Sequence, residues 1–277
     1  ASTASDGLRL WKLGDAEGEM VGFLEGHGGP AESLVFAPDG VTLFSGGTTD
    51  GTVRAWDVDS RSETGIVDQF SMRVLSSALS PDGKMLVHRL GGEVQMWSLP
   101  EGTFSRVLDA AWGNYLTGFS QDGTYLASVG SMGIGKWLVS TGSWFPTYWD
   151  NTEEMTTQAF NPVFDKVAVG FADGVIRIYD FQSNLLETWG TAQSGNAVRL
   201  LEYCPRSYYL AASYDDGSLV IWKETGGEPK EEFSFTAAGS IHGLAYEPVY
   251  CDKLLLSGDD GRLSYLPDDT GGIADLS

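Results

Sequence analysis

The sequence predicts an all-β fold made of repeated four-stranded units, and three observations carry that reading. Aromatic residues are plentiful within short apolar runs: 9 Trp, 11 Tyr and 13 Phe in 277 residues. Those runs are cut by Asp and by 36 Gly, and long helical patterns are absent. Aromatic-rich short segments bounded by turn residues read as strands. The third observation is self-similarity, because one pattern recurs every 40 to 45 residues along the chain.

The fullest copy runs from Gly26 to Trp56. It holds a Gly-His pair, an apolar strand, a Pro-Asp-Gly turn, a second strand, an Asp-Gly turn and a third strand ending in Trp. Each Asp-Gly supplies a tight turn that tolerates positive φ. Alternation in the third strand sets Val53 and Ala55 against Arg54 and Trp56. The cycle returns with anchors at Trp11, Trp56, Trp97, Trp137, Tyr179, Trp222 and Leu266, separated by 45, 41, 40, 42, 43 and 44 residues. That is the period of a four-stranded propeller blade.

On these residues the chain resembles the WD40-repeat β-propeller family. The signature pair is complete in one repeat, as Gly26-His27 with Trp56-Asp57, and Tyr179-Asp180 keeps part of it. The resemblance covers essentially the whole chain. It implies a buried set of turn Asp, Gly-His histidine, strand hydroxyl and Trp. Asp50, Asp173, Asp216 and Asp260 each lie six residues before an anchor. Only the repeat with His27 and Trp56 adds the histidine, and Ser45 is its candidate hydroxyl. Independently of the resemblance, a buried turn Asp accepts backbone N–H groups and a buried Trp N–H needs an acceptor. Gly91 and Ser131 replace the Asp in two registers, which are expected to be less well tied.

We read residues 1–277 as one propeller domain, expected to be seven-bladed with an incomplete first blade. Residues 1–25 are the remainder of that blade, 26–266 hold six repeats, and 267–277 form a closing or tail segment. The alternative is a six-bladed ring in which residues 19–26 pair onto the last blade. The segment ASTASDG looks like the tail of a second strand running into its turn. The natural protein is therefore expected to begin at least about 25–30 residues earlier, unless a partner supplies the missing strands by strand addition.

Thirty-eight acidic against 17 basic residues give a net charge of −21, spread over both halves: 18 acidic and 9 basic in 1–150, 20 and 8 in 151–277. That balance argues against direct nucleic-acid binding. His27, His88 and His242 fall in different repeats without ligand spacing, no phosphate loop opens a helix, and Asp215-Asp216 and Asp259-Asp260 sit in turns. No cofactor, metal or catalysis is expected. Cys204 and Cys251 read as buried thiols rather than a disulfide framework. With no signal-peptide pattern and no run of membrane-helix length, the expected place is intracellular, cytoplasmic or nuclear, with an organelle also open.

The expected function is a non-enzymatic scaffold or adaptor in a multiprotein assembly, with proteins as partners and no membrane insertion. The alternative is a reader of a short peptide or modified tail at the channel mouth. First strands should end at Phe36, Leu79, Phe119, Phe160, Tyr203 and Tyr246. Counting back from these places Arg73, Glu154, Arg199 and His242 at strand entrances, with Trp112 beside Gly113. Arginine presents a rigid donor fork for carboxylates. An outer strand and its loop, residues 141–154, gather Trp144, Phe145, Tyr148 and Trp149, aromatic types favoured at hot spots.

Overall fold

The computed structural model of the chain describes all residues except 1, 5–6, 14–17, 72–73, 91–92, 100–102, 110–115, 131–132, 149–152, 164, 182–183, 191–195, 225–228, 238, 247–250, 252, 260–262, 268–273 and 276–277. The described residues contain no helix. They form seven antiparallel sheets that follow one another in chain order.

The first sheet has three strands, β1 (Ser2–Ala4), β2 (Gly7–Leu13) and β3 (Gly18–Leu24). The second holds β4 (Ala31–Phe36), β5 (Thr42–Gly47), β6 (Thr52–Asp57) and β7 (Ser62–Gln69). The third holds β8 (Val74–Leu79), β9 (Met85–Leu90), β10 (Glu93–Ser98) and β11 (Thr103–Asp109). The fourth is β12 (Leu116–Phe119), β13 (Tyr125–Gly130), β14 (Gly133–Leu138) and β15 (Ser143–Tyr148). The fifth is β16 (Met155–Phe160), β17 (Lys166–Phe171), β18 (Ile176–Asp180) and β19 (Leu185–Trp189). The sixth is β20 (Val198–Tyr203), β21 (Tyr209–Tyr214), β22 (Ser218–Lys223) and β23 (Lys230–Thr236). The seventh is β24 (Ile241–Tyr246), β25 (Lys253–Gly258), β26 (Leu263–Pro267) and β27 (Ala274–Asp275).

Two turn types set this rhythm. Between first and second strands, Asp39 accepts N–H bonds from Val41 and Thr42, both 2.8 Å. Asp82 and Asp122 accept from Lys84 and Thr124 in the same way. Gly40, Gly83 and Gly123 follow with φ of 72°, 71° and 70°, which a side chain would resist. Between second and third strands, Asp50, Asp173 and Asp216 accept the N–H two residues on, at 3.1, 3.0 and 2.9 Å. The anchors share one register. Trp56, Trp97, Trp137, Tyr179, Trp222 and Leu266 lie across from Leu43, Leu86, Leu126, Val167, Leu210 and Leu254 on the second strands.

In the first sheet, Ser2–Ala4 pairs with β2 through Thr3↔Leu8 and Ala4↔Gly7. β3 lies beside β2, not on the last sheet, whose fourth strand is β27. The reading that moves residues 19–26 onto the last blade therefore does not describe this pairing.

The described residues group into two compact units, Ala1–Leu13 with Glu19–Pro146, and Gly14–Gly18 with Thr147–Ser277. In the first, apolar layers lie between consecutive sheets. Leu8, Leu10, Leu24, Leu43 and Trp56 join first and second sheets. Phe44, Val53, Val74, Leu86 and Trp97 join second and third, and Val87, Met96, Leu126 and Trp137 join third and fourth. A sheet covered on both faces loses the two-residue burial rhythm. The expected alternation in β6 is accordingly absent: Trp56 is buried beside a partly buried Ala55, and a bulge lies between them.

In the second unit, Ile176, Ile178, Trp189, Leu201, Tyr203 and Leu210 fill the layer between fifth and sixth sheets. Ala211, Leu219, Ile241, Leu254 and Leu256 fill the next. Glu202 departs from the pattern of the other sheets. The position before the first-strand terminal residue is Val35, Ala78, Gly118, Ala159 or Ala245 in other sheets, but Glu202 here. Burial pushes its carboxyl up to about 7. A raised carboxyl pKa means the folded state holds a proton that the unfolded chain has released. The stability this represents is full below the ordinary carboxylate range and lost as pH rises through about 7. Glu202→Gln is expected to stabilise the chain by roughly 2 kcal/mol near pH 8 and by little near pH 5. Urea titration at the two pH values checks this, and an equal effect at both would contradict it.

Candidate functional site

The structure ties the second sheet together with one directed polar chain. Trp56 Nε1–H donates to Ser45 Oγ at 2.7 Å, and Ser45 Oγ lies 2.7 Å from His27 Nε2. His27 Nδ1 lies 3.0 Å from Asp50 Oδ2, and Asp50 also accepts the N–H of Gly28 at 2.8 Å. Burial lowers the His27 pKa below its ordinary value, with Asp50 opposing in part. The ring is therefore neutral near pH 7, its Nδ1–H facing Asp50 and its Nε2 accepting from Ser45. Burial works against the Asp50 charge, but the Gly28 and Thr52 N–H groups and His27 outweigh it and hold the carboxyl at about 2. A Cβ at Gly47 would collide with Asp50 and His27, so the glycine makes room for the pair. This set is a staple within the sheet.

Other sheets replace the set in different ways. In the third, His88 stands where Ser45 stands in the second, across from the first strand: Ser77↔His88 matches Leu34↔Ser45. Phe70 takes the sequence place of His27 and packs edge-on against His88 and Trp97, both at 6.3 Å. Burial alone lowers His88 to about 3, and its Nδ1 meets Ser77 Oγ at 2.9 Å. In the fifth sheet, Asp173 binds Arg177 at 2.9 Å, and Tyr179 is buried. In the sixth, Asp216 pairs with Asn196, and Trp222 is partly buried against Trp189. Asp260, Gly91 and Ser131 lie outside the described residues.

Of the residues singled out for partner binding, Arg73, Trp112 and Trp149 lie outside the described residues, as does the side chain of Tyr148. Glu154 is exposed, and its carbonyl accepts the Ala172 N–H. Arg199 and His242 are brought together from neighbouring sheets. Arg199 Nη2 lies 3.4 Å from His242 Nδ1, and Arg199 Nη1 donates to Asp215 at 3.0 Å. His242 Nε2 bonds Asp259, which also accepts the Ser240 N–H at 2.8 Å. The hydrogen bond from His242, then that from Ser240, lowers the Asp259 pKa. The Arg199 fork is thus already engaged by an acid and a histidine of its own chain.

The aromatic segment divides along its strand. Trp144 turns inward onto Trp137, with ring centres 4.3 Å apart, over Gly135, where any Cβ would strike the indole. The indole is partly buried there and packs within its own sheet. Phe145 turns outward and is 48% exposed. It has company that the sequence did not single out. Of ten exposed large apolar side chains among the described residues, six lie on fourth strands, Ile66, Phe104, Val107, Phe145, Leu185 and Leu186, and Met20 lies on β3, the last strand of the first sheet. Arg106 Nη2 on β11 also reaches Ser140 O at 3.5 Å in the turn before β15. The signal that could have found Phe104 and Val107 is their place on a strand with one neighbour, where little covers the outer face.

The two cysteines correct the sequence reading outright. Cys204 and Cys251 form a disulfide with a Cα–Cα distance of 5.8 Å. Among the described residues, no His, Cys, Asp and Glu group could hold a metal ion, and no helix is long and apolar enough to cross a membrane.

Comparisons with known proteins agree with this architecture. The family model "WD domain, G-beta repeat" matches residues 18–57. The Periodic tryptophan protein 2 homolog of Schizosaccharomyces pombe is 37% identical over 109 residues, covering 38% of this chain and 12% of that protein. The chain's match thus spans a small part of that relative's length. Cell division cycle 20.5, cofactor of APC complex, from Arabidopsis thaliana is 30% identical over 198 residues, 64% of this chain and 42% of that protein. Among solved structures, the Cps50 (Swd1) β-propeller domain of Myceliophteria thermophila superposes with a TM-score of 0.77 at 16% identity, covering 90% of this chain and 85% of that one. With its anchors in one register and its repeated sheets, the chain has a β-propeller fold, and its residues 18–57 match a WD40 repeat.

Proposed function

We propose that the chain is a non-enzymatic protein-interaction scaffold, an adaptor subunit whose partners bind its outer strands around Phe104, Val107 and Phe145. The observation that supports this most is the concentration of exposed large apolar side chains on fourth strands. Exposed apolar groups on outer strands gain by being covered, and aromatic side chains contribute most when buried at the centre of an interface. The acidic surface suits partners with basic rims around an apolar centre. One relative carries the name of a cofactor of a complex, which agrees with an adaptor role. The intracellular location read from the sequence belongs to the same proposal.

The second reading, a peptide reader at Arg199 and His242, has an exposed cross-sheet polar chain in its favour. The two separate by mutation. Phe104→Ser with Phe145→Ser is expected to weaken retention in the native assembly by about 30-fold or more, with the folded chain otherwise intact. Arg199→Ala should change it by less than about threefold. Co-purification with quantitative mass spectrometry reads both. Loss in Arg199→Ala alone would favour the reader and overturn the adaptor.

A further inference from the structure

We propose that Cys251 is a site of reversible S-thiolation, at which a low-molecular-weight thiol such as glutathione exchanges with the Cys204–Cys251 disulfide. The bond joins residues 47 apart, from the residue after β20 in the sixth sheet to the residue two before β25 in the seventh. Its two ends sit in different surroundings. Cys204 is fully buried with Ala211, Leu219, Ile241, Leu254 and Leu256. Cys251 is only partly buried. Its backbone φ is 57°, in the left-handed region that non-glycine residues adopt at a cost. Cys251 also packs against that cluster, but it is the less buried end of the bond and so the end proposed for attack by an incoming thiolate.

A second feature gives the exchange its direction. The Arg206 backbone N–H donates to Cys204 Sγ at 3.3 Å. When an external thiolate attacks Cys251 Sγ, a new S–S bond forms there and the Cys251–Cys204 bond breaks. The electron pair leaves on Cys204 Sγ, where the Arg206 N–H is already placed to stabilise a thiolate, before a proton arrives from water. The products are a mixed disulfide at Cys251 and a thiol at Cys204. No net oxidant is consumed, because one disulfide and one thiol become one disulfide and one thiol. In the reverse step, the Cys204 thiolate attacks the Cys251 sulfur and expels the small thiol.

The experiment treats the oxidised full chain with excess reduced glutathione, quenches with acid, alkylates free thiols and maps the peptides by mass spectrometry. The expected result is a glutathione adduct on Cys251 and an alkylated Cys204. Two variants, checked for folding by circular dichroism, keep the test decisive if the wild-type adduct resolves too fast to trap. With oxidised glutathione, Cys204→Ser should be modified at Cys251 about tenfold or more faster than Cys251→Ser is modified at Cys204. Adduct mainly on Cys204, equal rates in the two variants, or full alkylation of both cysteines in denatured protein never exposed to reductant would overturn the proposal.

Discussion

Trp56→Ala is expected to destabilise the chain by about 3–5 kcal/mol. The indole is 1% exposed and packs with Leu8, Leu10, Leu24 and Leu43 between two sheets. Its removal leaves a cavity that these stiffly held strands cannot fill. It also takes the Nε1–H donor from Ser45 Oγ, the hydroxyl that continues to His27 and Asp50. Phe145→Ala is the matched control. Its ring is 48% exposed, so the loss should stay under about 1 kcal/mol. Urea titration of the two variants reads the difference. Similar costs would mean that the outer-strand ring is packed after all, and that the Trp56 set carries no special weight.

Breaking the Cys204–Cys251 bond with a strong dithiol is expected to cost about 4 kcal/mol, the chain-entropy figure for a loop of this length. The loop spans 47 residues and includes all of β21, β22, β23 and β24, so the reduced unfolded chain regains much freedom. Relief of the left-handed backbone at Cys251 returns roughly 1 kcal/mol of that. Denaturant titration with and without reductant measures the net. Cys251→Ser should behave like the reduced wild type and be unaffected by reductant. A reductant effect below about 1 kcal/mol would show that the bond does not constrain the unfolded chain.

The repeat was legible because its chemistry is local. An Asp-Gly turn fixes its own backbone, and the anchors sit at constant distance from it. First strands therefore end on Phe36, Leu79, Phe119, Phe160, Tyr203 and Tyr246, the positions that spacing alone assigned. What spacing does not encode is which neighbour covers a side chain. The run Trp144, Phe145, Tyr148 and Trp149 does not say which ring turns inward, and Gly135 on β14 leaves the hollow that the Trp144 indole fills. Phe104 and Val107 were passed over because they are scattered singly in the sequence, while Trp144, Phe145, Tyr148 and Trp149 form a dense run. The disulfide was missed for a related reason: a separation of 47 carries no motif, and only the packing of the sixth sheet on the seventh brings the sulfurs together. Arg199 shows the same limit. As a letter it is a free fork in an acidic protein, but Asp215 and His242 already occupy it.

The central claim is that partners engage the outer strands rather than the Arg199–His242 end. Hydrogen exchange of the chain, free and in its native assembly, tests this most directly, because an outer strand leaves half its amides unpaired and open to protection by a partner. The account predicts slower exchange in the assembly over Thr103–Asp109 and Ser143–Tyr148, with no change around Arg199 and His242. Protection confined to the residues around Arg199 and His242, with those two strands unaltered, would contradict it.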